Sequence, residues 1–118
     1  CNIGVAHSDG ELILLLNPDA WLEADGIEGL ARALMEDEDL SIVGGVVLHP
    51  DGTIQEAGNR LDRMGFPVPR RVRPERALDR DVFFVSGCAL MISRADWTNV
   101  GGLDERYFMF NEEVDLCW

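Results

Sequence analysis

The first strong signal along the chain is a short apolar run over residues 11–16 that stops abruptly at Asn17, Pro18 and Asp19. A run of this length with a turn at its end predicts a β-strand buried on both faces, as in parallel sheets. Pro18 cannot continue a central strand because it has no N–H to donate to a neighbouring strand. The pattern therefore predicts that the first strand ends with Asp19 at its carboxyl end.

An amphipathic helix is predicted to follow this strand. Its N-cap is Asp25, and Glu28 comes three residues later, close to the pattern of a capping box. Apolar residues then recur at spacings of three and four, which makes one helical stripe: Ile27, Leu30, Ala31, Leu34 and Met35. The acidic residues 36–39 lie at the unfavourable end of the helix dipole and predict where the helix stops. Residues 41–48 predict a second buried strand, and a strand–helix–strand order is typical of an α/β layered sheet.

The rest of the chain predicts shorter elements. Residues 49–52 predict a turn with Pro and Gly in favourable positions, and residues 53–55 a short returning strand. Residues 58–81 hold three of the five prolines with little periodicity and predict a long surface loop. Two β-like runs are predicted at residues 81–85 and 89–92. A short helix closed by two glycines is predicted at 94–100, and the start of a final helix at 111–118.

Composition limits the classes of function. The 118 residues carry 10 basic and 22 acidic side chains, which gives a formal net charge of −12. This balance argues against nucleic acid as a partner, and against an anionic membrane as the main one, because both need their phosphates neutralised. No apolar run approaches the length of a membrane span. Three widely spaced cysteines indicate no disulfide framework and favour a reducing, cytoplasmic location.

The basic residues are segregated along the chain. Every one of them is an arginine, and seven of the ten lie between residues 60 and 80, where only three acids occur. An exposed, solvated loop is the ordinary interpretation of such a segment. The same charge would also allow the Arg-rich loop at 58–81 to make a peripheral contact with an anionic membrane face.

Asp19 is the first candidate for chemistry. In open α/β sheets, ligands bind at the carboxyl ends of strands, where this carboxylate is predicted to stand. A single exposed carboxylate suits Mg²⁺, which takes one or two protein carboxylates and completes its shell with phosphate oxygens and water. The alternative is a turn whose Asp makes a local backbone hydrogen bond, and the residue types alone favour this turn.

Three carboxylates near the end of the chain are the second candidate: Glu112, Glu113 and Asp115. Mutual repulsion in a partly buried site would raise the pKa of at least one of them, which suits a general base that takes a proton from a hydroxyl. The alternative is an acidic helix N-terminus, which is stabilised by the helix dipole and has no catalytic role. The histidines and cysteines show no zinc spacing, and Cys88 is predicted to be a buried, inert thiol.

Several motifs occur together in a defined order: Asn2-x-Gly4, GELILLLNPD (10–19), PDGTIQ (50–55), SGCALMI (86–92), GGLDE (101–105) and FMFNEEVDLC (108–117). With these motifs the chain resembles the family 2 glycosyltransferases of the GT-A type and is most similar to their bacterial rhamnosyltransferase-like members. The resemblance covers nearly the whole chain. It implies an α/β fold, namely a GT-A, Rossmann-like mixed sheet flanked by helices and incomplete at the N-terminus.

The resemblance implies an inverting enzyme that uses a nucleotide-sugar donor, such as dTDP-rhamnose or a UDP-sugar, and a divalent metal, Mg²⁺ or Mn²⁺. Asp19 would contact the metal, and Asn17 and Asn2 would lie on the donor side. Glu112 and Glu113 occupy the place of a Glu-Asp motif whose second member is the usual catalytic base. This position favours Glu113 as the base and leaves Glu112 as the alternative.

The resemblance also implies an acceptor side, which maps to Gly102, Leu103, Asp104 and Asp115. The acceptor would be a glycan or a lipid-linked saccharide in cell-wall or polysaccharide biosynthesis, reached in the cytoplasm or at the inner face of its membrane. Residues 1–118 would be the central and C-terminal part of one larger GT-A domain and inactive by themselves. The alternative is a non-catalytic binding or interaction module that keeps the glycosyltransferase fold.

Overall fold

The computed structural model describes residues 1–70 and 81–118. The helices in this part of the chain are α1 (Asn2–Ala6), α2 (Gly26–Glu36), α3 (Arg94–Val100) and α4 (Glu112–Leu116). The strands are β1 (Leu12–Leu16), β2 (Ile42–Gly44), β3 (Val47–Leu48), β4 (Ile54–Glu56), β5 (Asn59–Leu61), β6 (Pro67–Pro69) and β7 (Ala89–Ser93).

A three-stranded sheet with β7 at its centre forms the middle of the fold. β7 pairs antiparallel with β1 on one side and with β2 on the other, and Ile92 lies opposite Ile13 and Ile42. Residues 89–92 are all buried, and Leu90 is 0% exposed. The helices α1, α3 and α4 each bring one buried side chain to this sheet. The resulting apolar core contains Val5, Ile13, Leu90, Ile92, Trp97 and Leu116.

The prediction of a parallel-type first strand is wrong. β1 and β2 run in the same direction, as a crossover connection requires, but β7 lies between them and pairs antiparallel with both. β1 is therefore an edge strand of this sheet within the described residues, and Ile13 alone among its residues is fully buried. The mixed helix-and-strand class is confirmed, whereas the described residues do not form a Rossmann-like sheet.

Helix α2 begins after Asp25 and ends at Glu36, the first residue of the acidic tail, as predicted. The expected capping box does not form, because Asp25 has a helical backbone conformation and its side chain makes no cap hydrogen bond. Glu28 instead pairs with Arg32 one turn later, at 3.0 Å. No residue of α2 is fully buried, and Leu30 from its apolar stripe faces the open groove described below.

The strand predicted over 41–48 is divided into β2 and β3, which lie in different sheets. Val85 packs so closely on Gly44 that a Cβ at Gly44 would lie 2.5 Å from the Val85 Cβ, and the chain leaves the central sheet at this point. The predicted turn and returning strand are confirmed, because His49 N–H donates to the Thr53 carbonyl at 2.8 Å and β4 pairs with β3.

The long loop predicted over 58–81 is wrong for residues 59–69, which form a hairpin of β5 and β6. The Asp62 carboxylate fixes the turn by accepting hydrogen bonds from the N–H groups of Met64 at 2.8 Å and Phe66 at 2.9 Å. β6 tolerates its two prolines because, among the residues that the structure describes, it pairs with β5 alone. Four of the arginines of this segment are in residues 71–80, so that part of the prediction lies outside the described residues.

The last third of the chain contains both confirmed and corrected predictions. Helix α3 is confirmed: the Ser93 hydroxyl caps it by accepting from Asp96 N–H at 3.0 Å, and Gly101 ends it in the left-handed conformation. The helix start predicted at 111–118 is confirmed as α4. The β-like run predicted at 81–85 is reduced to one bridge, between Asn59 and Phe84. None of the described helices has the length and apolar character needed to cross a bilayer.

The central position of β7 gives a stability prediction. Replacing the fully buried Leu90 by Ala removes packing from the apolar core and should lower the free energy of unfolding by about 2–5 kcal/mol. The control is Met64→Ala in the β5–β6 turn, where the side chain is 81% exposed and the change should stay within about 0.5 kcal/mol. Urea unfolding of the intact protein measures both. Equal losses in the two variants would contradict a core centred on β7.

Candidate active site

Two concave surfaces meet where β1 ends and β7 begins. One is a small cleft of about 200 Å³ that contains both Glu112 and Glu113 in its wall. The other is an open groove of about 1590 Å³ that contains Asp19. Residues of the first and second candidate motifs therefore lie in adjacent surfaces. The two surfaces share three wall residues: Asn17, Ser86 and Cys88.

The pairing of β1 with β7 positions the residues 17–19. Leu16 is the last residue of the ladder, opposite Ala89, and Asn17 N–H then donates to the Cys88 carbonyl at 2.9 Å. The chain turns away immediately afterwards, with Ala20 N–H donating to the Asn17 carbonyl at 3.1 Å. This turn leaves Asp19 exposed in the wall of the groove. The strand end therefore presents a carboxylate to solvent, as the sequence predicts.

Helix α4 positions the carboxylates of the small cleft. Its residue Leu116 is buried in the core and anchors the helix. The two residues that precede the helix, Phe110 and Asn111, have left-handed φ angles of 67° and 69°, which is unusual outside glycine. Glu113 faces the segment that precedes β7: a Cβ placed on Gly87 would lie 3.7 Å from the Glu113 Cβ.

The electrostatics of the cleft favour a proton acceptor at Glu113. Partial burial raises the pKa of Glu113 above its ordinary value, and the nearby carboxylates of Glu112 and Glu56 raise the same pKa further. Backbone hydrogen bonds oppose this shift without reversing it. A carboxylate with a raised pKa is a stronger base, which is the property that a general base needs.

Glu56 is a functional candidate that the sequence motifs do not single out. It is the last residue of β4, lines the open groove and acts electrostatically on both Glu113 and Cys88. Burial raises the pKa of the Cys88 thiol, and the charges of Glu56 and Asp19 raise it further, which keeps this thiol protonated at neutral pH. The signal that could have found Glu56 is its position on the returning strand, directly after the PDGTIQ motif.

The Glu112 carboxylate is in an unusual state for a buried group. Its Oε2 atom is buried and receives no hydrogen bond from the described residues. A buried acceptor without a partner costs free energy. Glu112 therefore carries a local energetic cost at the start of α4.

The metal predicted for this site can be tested against the donor set. Within the described residues, no group of three or more His, Cys, Asp or Glu side chains is arranged to hold a metal ion. Asp19 is a single exposed carboxylate at a strand end. Mg²⁺ commonly binds proteins through one or two carboxylates and takes its other oxygens from phosphates and water. The donor set therefore fits an ion shared with a bound diphosphate and does not fit an ion held by the protein alone.

Asn2 has a defined structural role. Its side-chain amide donates to the Leu103 carbonyl at 2.8 Å, and its Oδ1 accepts from Leu103 N–H at 3.0 Å. Gly102 makes this pair of hydrogen bonds possible. A Cβ at this position would lie 2.9 Å from the Asn2 Oδ1, and the φ of 79° is in the left-handed region. Asn2 therefore fixes the loop after α3 to the first helix. The donor-side role predicted for Asn2 stays a prediction.

The residues predicted for the acceptor side differ in whether they line the cleft. Leu103 lines it together with Glu112 and Glu113. Asp104 is paired with the Arg106 guanidinium, whose hydrogen bonds lower the pKa of that carboxyl. Gly102, Asp104 and the exposed Asp115 are not among the described residues that line the cleft. Their acceptor-side roles stay predictions.

The chain was compared with known proteins. The sequence signature of glycosyl transferase family 2 matches residues 1–99. The chain is 29% identical, over 88% of its length, to 39% of an N-acetylglucosaminyl-diphospho-decaprenol L-rhamnosyltransferase of Mycobacterium tuberculosis. It is 26% identical, over 99% of its length, to 40% of a low-salt glycan biosynthesis hexosyltransferase of Haloferax volcanii.

A further relative is much longer than this chain. The chain is 28% identical, over 98% of its length, to 10% of an O-antigen biosynthesis protein of Myxococcus xanthus. No solved structure matches the chain significantly. The chain thus spans about two-fifths of the length of the rhamnosyltransferase and the hexosyltransferase that it resembles.

The raised pKa of Glu113 predicts a stability effect of known sign. A carboxyl whose pKa is higher in the folded protein is a net cost once the pH exceeds both pKa values, because the unfolded chain ionises it more easily. Glu113→Gln should therefore raise the free energy of unfolding at pH 7 relative to pH 4. Glu38→Gln, at an exposed position, controls for the general loss of one negative charge. Urea titrations at the two pH values measure this, and a smaller gain at pH 7 than in the control would contradict it.

Proposed function

Since the chain belongs to glycosyl transferase family 2, we propose that it carries the catalytic centre of an inverting glycosyltransferase. This enzyme would move a sugar from a nucleoside diphosphate donor to a hydroxyl of a glycan or lipid-linked acceptor. The observation that carries the proposal is the half-buried Glu113, whose pKa is raised, in a cleft that adjoins the groove of Asp19. In the complete protein, the described sheet would be part of a GT-A domain.

The two surfaces support a division between donor and acceptor. The donor occupies the open groove, with its anomeric carbon near the shared wall of Asn17, Ser86 and Cys88. The acceptor enters the small cleft, where its hydroxyl faces Glu113. This arrangement brings the reacting carbon and oxygen together across one wall and removes much of the entropic cost of their meeting.

The reaction then follows from charge and geometry. Glu113 takes the proton of the acceptor hydroxyl while that oxygen attacks the anomeric carbon. The new bond to the acceptor oxygen forms as the bond to the diphosphate oxygen breaks, and the diphosphate leaves with the electron pair. Attack from the face opposite the leaving group inverts the configuration at the anomeric carbon. Glu56 and Glu112 support this step because their charges keep Glu113 basic.

The donor side has a simple charge requirement. A divalent ion, Mg²⁺ or Mn²⁺, when bound, would supply positive charge against the diphosphate. Asp19 is the residue that would hold it, and Asn17 lies beside it on the same turn. The names of the relatives support transfer of a rhamnosyl or hexosyl group, and one of them supports a diphosphate-linked lipid saccharide as acceptor. We propose dTDP-rhamnose or a UDP-sugar as the donor. Nucleotide sugars are too polar to cross a bilayer unaided, which supports action on the cytoplasmic side, with the Arg-rich segment 58–81 as a contact to the membrane.

The first test concerns Asp19. Asp19→Asn in the intact protein should lower metal-dependent transfer by about 100-fold or more, since a carboxylate ligand is replaced by a neutral amide. Asp9→Asn changes an exposed Asp before β1 and should leave the rate unchanged. Transfer of radiolabelled sugar at varied Mn²⁺ concentration measures both. Equal rates in the two variants would remove Asp19 from the site.

The second test concerns the base. Glu113→Gln should leave nucleotide-sugar binding intact and lower kcat by about 10²–10⁴-fold, because the amide cannot accept the proton. Glu112→Gln is the matched variant at the adjacent position and should lower kcat less. Calorimetric binding of the donor together with turnover separates binding from chemistry. A near-normal kcat in Glu113→Gln with a large loss in Glu112→Gln would move the base to Glu112. Donor binding without turnover in the intact protein would support the non-catalytic module instead.

A further inference from the structure

We propose that the tip of the β5–β6 hairpin docks on an anionic bilayer: Met64 and Phe66 enter the membrane interface while Arg60 and Arg63 contact lipid phosphates. This inference rests on the proposed function and adds to it the residues that make the membrane contact and the way they make it. It is carried by the exposure of the apolar side chains, the local charge of the hairpin and the composition of its free edge.

The hairpin tip, residues 62–66, exposes two large apolar side chains. Met64 is 81% exposed and Phe66 is 61% exposed. The Asp62 carboxylate fixes the backbone of both residues, because it accepts a hydrogen bond from each of their N–H groups. The turn therefore holds an apolar pair in contact with water. An exposed apolar pair with a polar rim is typical of a surface that contacts a membrane or another molecule.

The charge around the tip indicates which partner fits. Residues 59–70 carry three arginines and a single acid, Asp62, in a chain whose net charge is −12. Arg60 and Arg63 are both exposed, and each basic side chain close to an anionic leaflet strengthens binding to it. Charges farther from the surface than about 8 Å are largely screened at physiological salt. The hairpin can therefore be attracted to an anionic bilayer although the chain as a whole is acidic.

A second exposed pair of the same residue types lies in acidic surroundings. Phe108 is 98% exposed and Met109 is 62% exposed. The charged residues of the segment 104–113 are four acids and one arginine. An anionic surface repels this segment and attracts the hairpin tip, so apolar exposure alone does not choose between the two pairs. Charge complementarity selects the hairpin.

The free edge of β6 disfavours a partner that adds a strand to the hairpin. Phe66 uses its carbonyl, and Arg70 its N–H, in hydrogen bonds to the opposite arm of the hairpin. Because backbone groups alternate in direction along a strand, Pro67 and Pro69 face away from that arm. Neither proline has an N–H to donate there, and prolines at a sheet edge prevent its extension. Recognition at the hairpin therefore depends on the side chains of the tip.

The experiment measures sedimentation of the intact protein with vesicles of phosphatidylcholine, made with and without phosphatidylglycerol. The protein should bind the anionic vesicles about tenfold or more tightly than the neutral ones. Met64→Ser together with Phe66→Ser should weaken binding to the anionic vesicles about tenfold or more, because two apolar side chains no longer enter the interface. The matched control, Phe108→Ser together with Met109→Ser, removes the same side-chain types from the acidic segment and should leave binding unchanged.

Two further variants separate charge from folding. Arg60→Gln together with Arg63→Gln should weaken binding to the anionic vesicles about tenfold or more and make it less dependent on salt. Met64→Trp should strengthen binding, because Trp favours the membrane interface. A gain of binding cannot result from an unfolded hairpin. Urea unfolding of each variant checks that the fold is kept.

Four outcomes would overturn the inference: no vesicle binding, equal binding to the two vesicle types, equal effects of the two Phe and Met pairs, or unchanged binding after loss of the two arginines. Self-association that depends on Met64 and Phe66, without vesicle binding, would assign the tip to a second copy of the chain and would also overturn it. Vesicle binding needs neither donor nor turnover. Binding as described without sugar transfer overturns the proposed function alone, and transfer without the hairpin effect overturns this inference alone.

Discussion

The pairing of β1 with β7 is the constraint on which the rest of the structure depends. These strands are separated by more than 70 residues of sequence, and their register ends with Leu16 opposite Ala89. One further hydrogen bond, from Asn17 to Cys88, joins the two chain segments that become the shared wall of the site. A shift of this register by one residue would exchange the buried and exposed faces of β1. It would also separate Asp19 from the segment that packs against Glu113.

The candidate site concentrates negative charge in a chain that is already acidic. Asp19, Glu56, Glu112 and Glu113 all lie around the segment 86–88, in a chain that already carries a net charge of −12. The charges of Glu112 and Glu56 make ionisation of Glu113 less favourable, which would keep Glu113 basic in the proposed reaction. The buried core around β7 and the anchor at Leu116 hold α4 in place despite this repulsion. At Glu113, the burial and the charges that raise its pKa therefore also lower the stability of the folded protein at neutral pH.

The features predicted correctly are those encoded locally. The stop of β1 at Pro18, the end of α3 at Gly101 and the short helix at Glu112 each depend on neighbours within a few residues. The antiparallel insertion of β7 was not predicted, because an apolar run does not specify which distant strand it pairs with. The Asp62 turn was missed because the prolines after it suggested a loop. In the candidate site, the motifs single out Asp19 and the two glutamates, whose roles stay predictions. They do not single out Glu56, because only the fold brings β4 beside Glu113.

The two surfaces also differ in size, and this links the proposed acceptor to the chemistry. The donor groove is large, which suits a charged diphosphate that keeps part of its hydration. The cleft is much smaller, so an acceptor ring that enters it would displace water from around Glu113. Loss of that water disfavours the carboxylate and raises its pKa further, as burial already does in the free protein. The acceptor would thus strengthen the base that activates it.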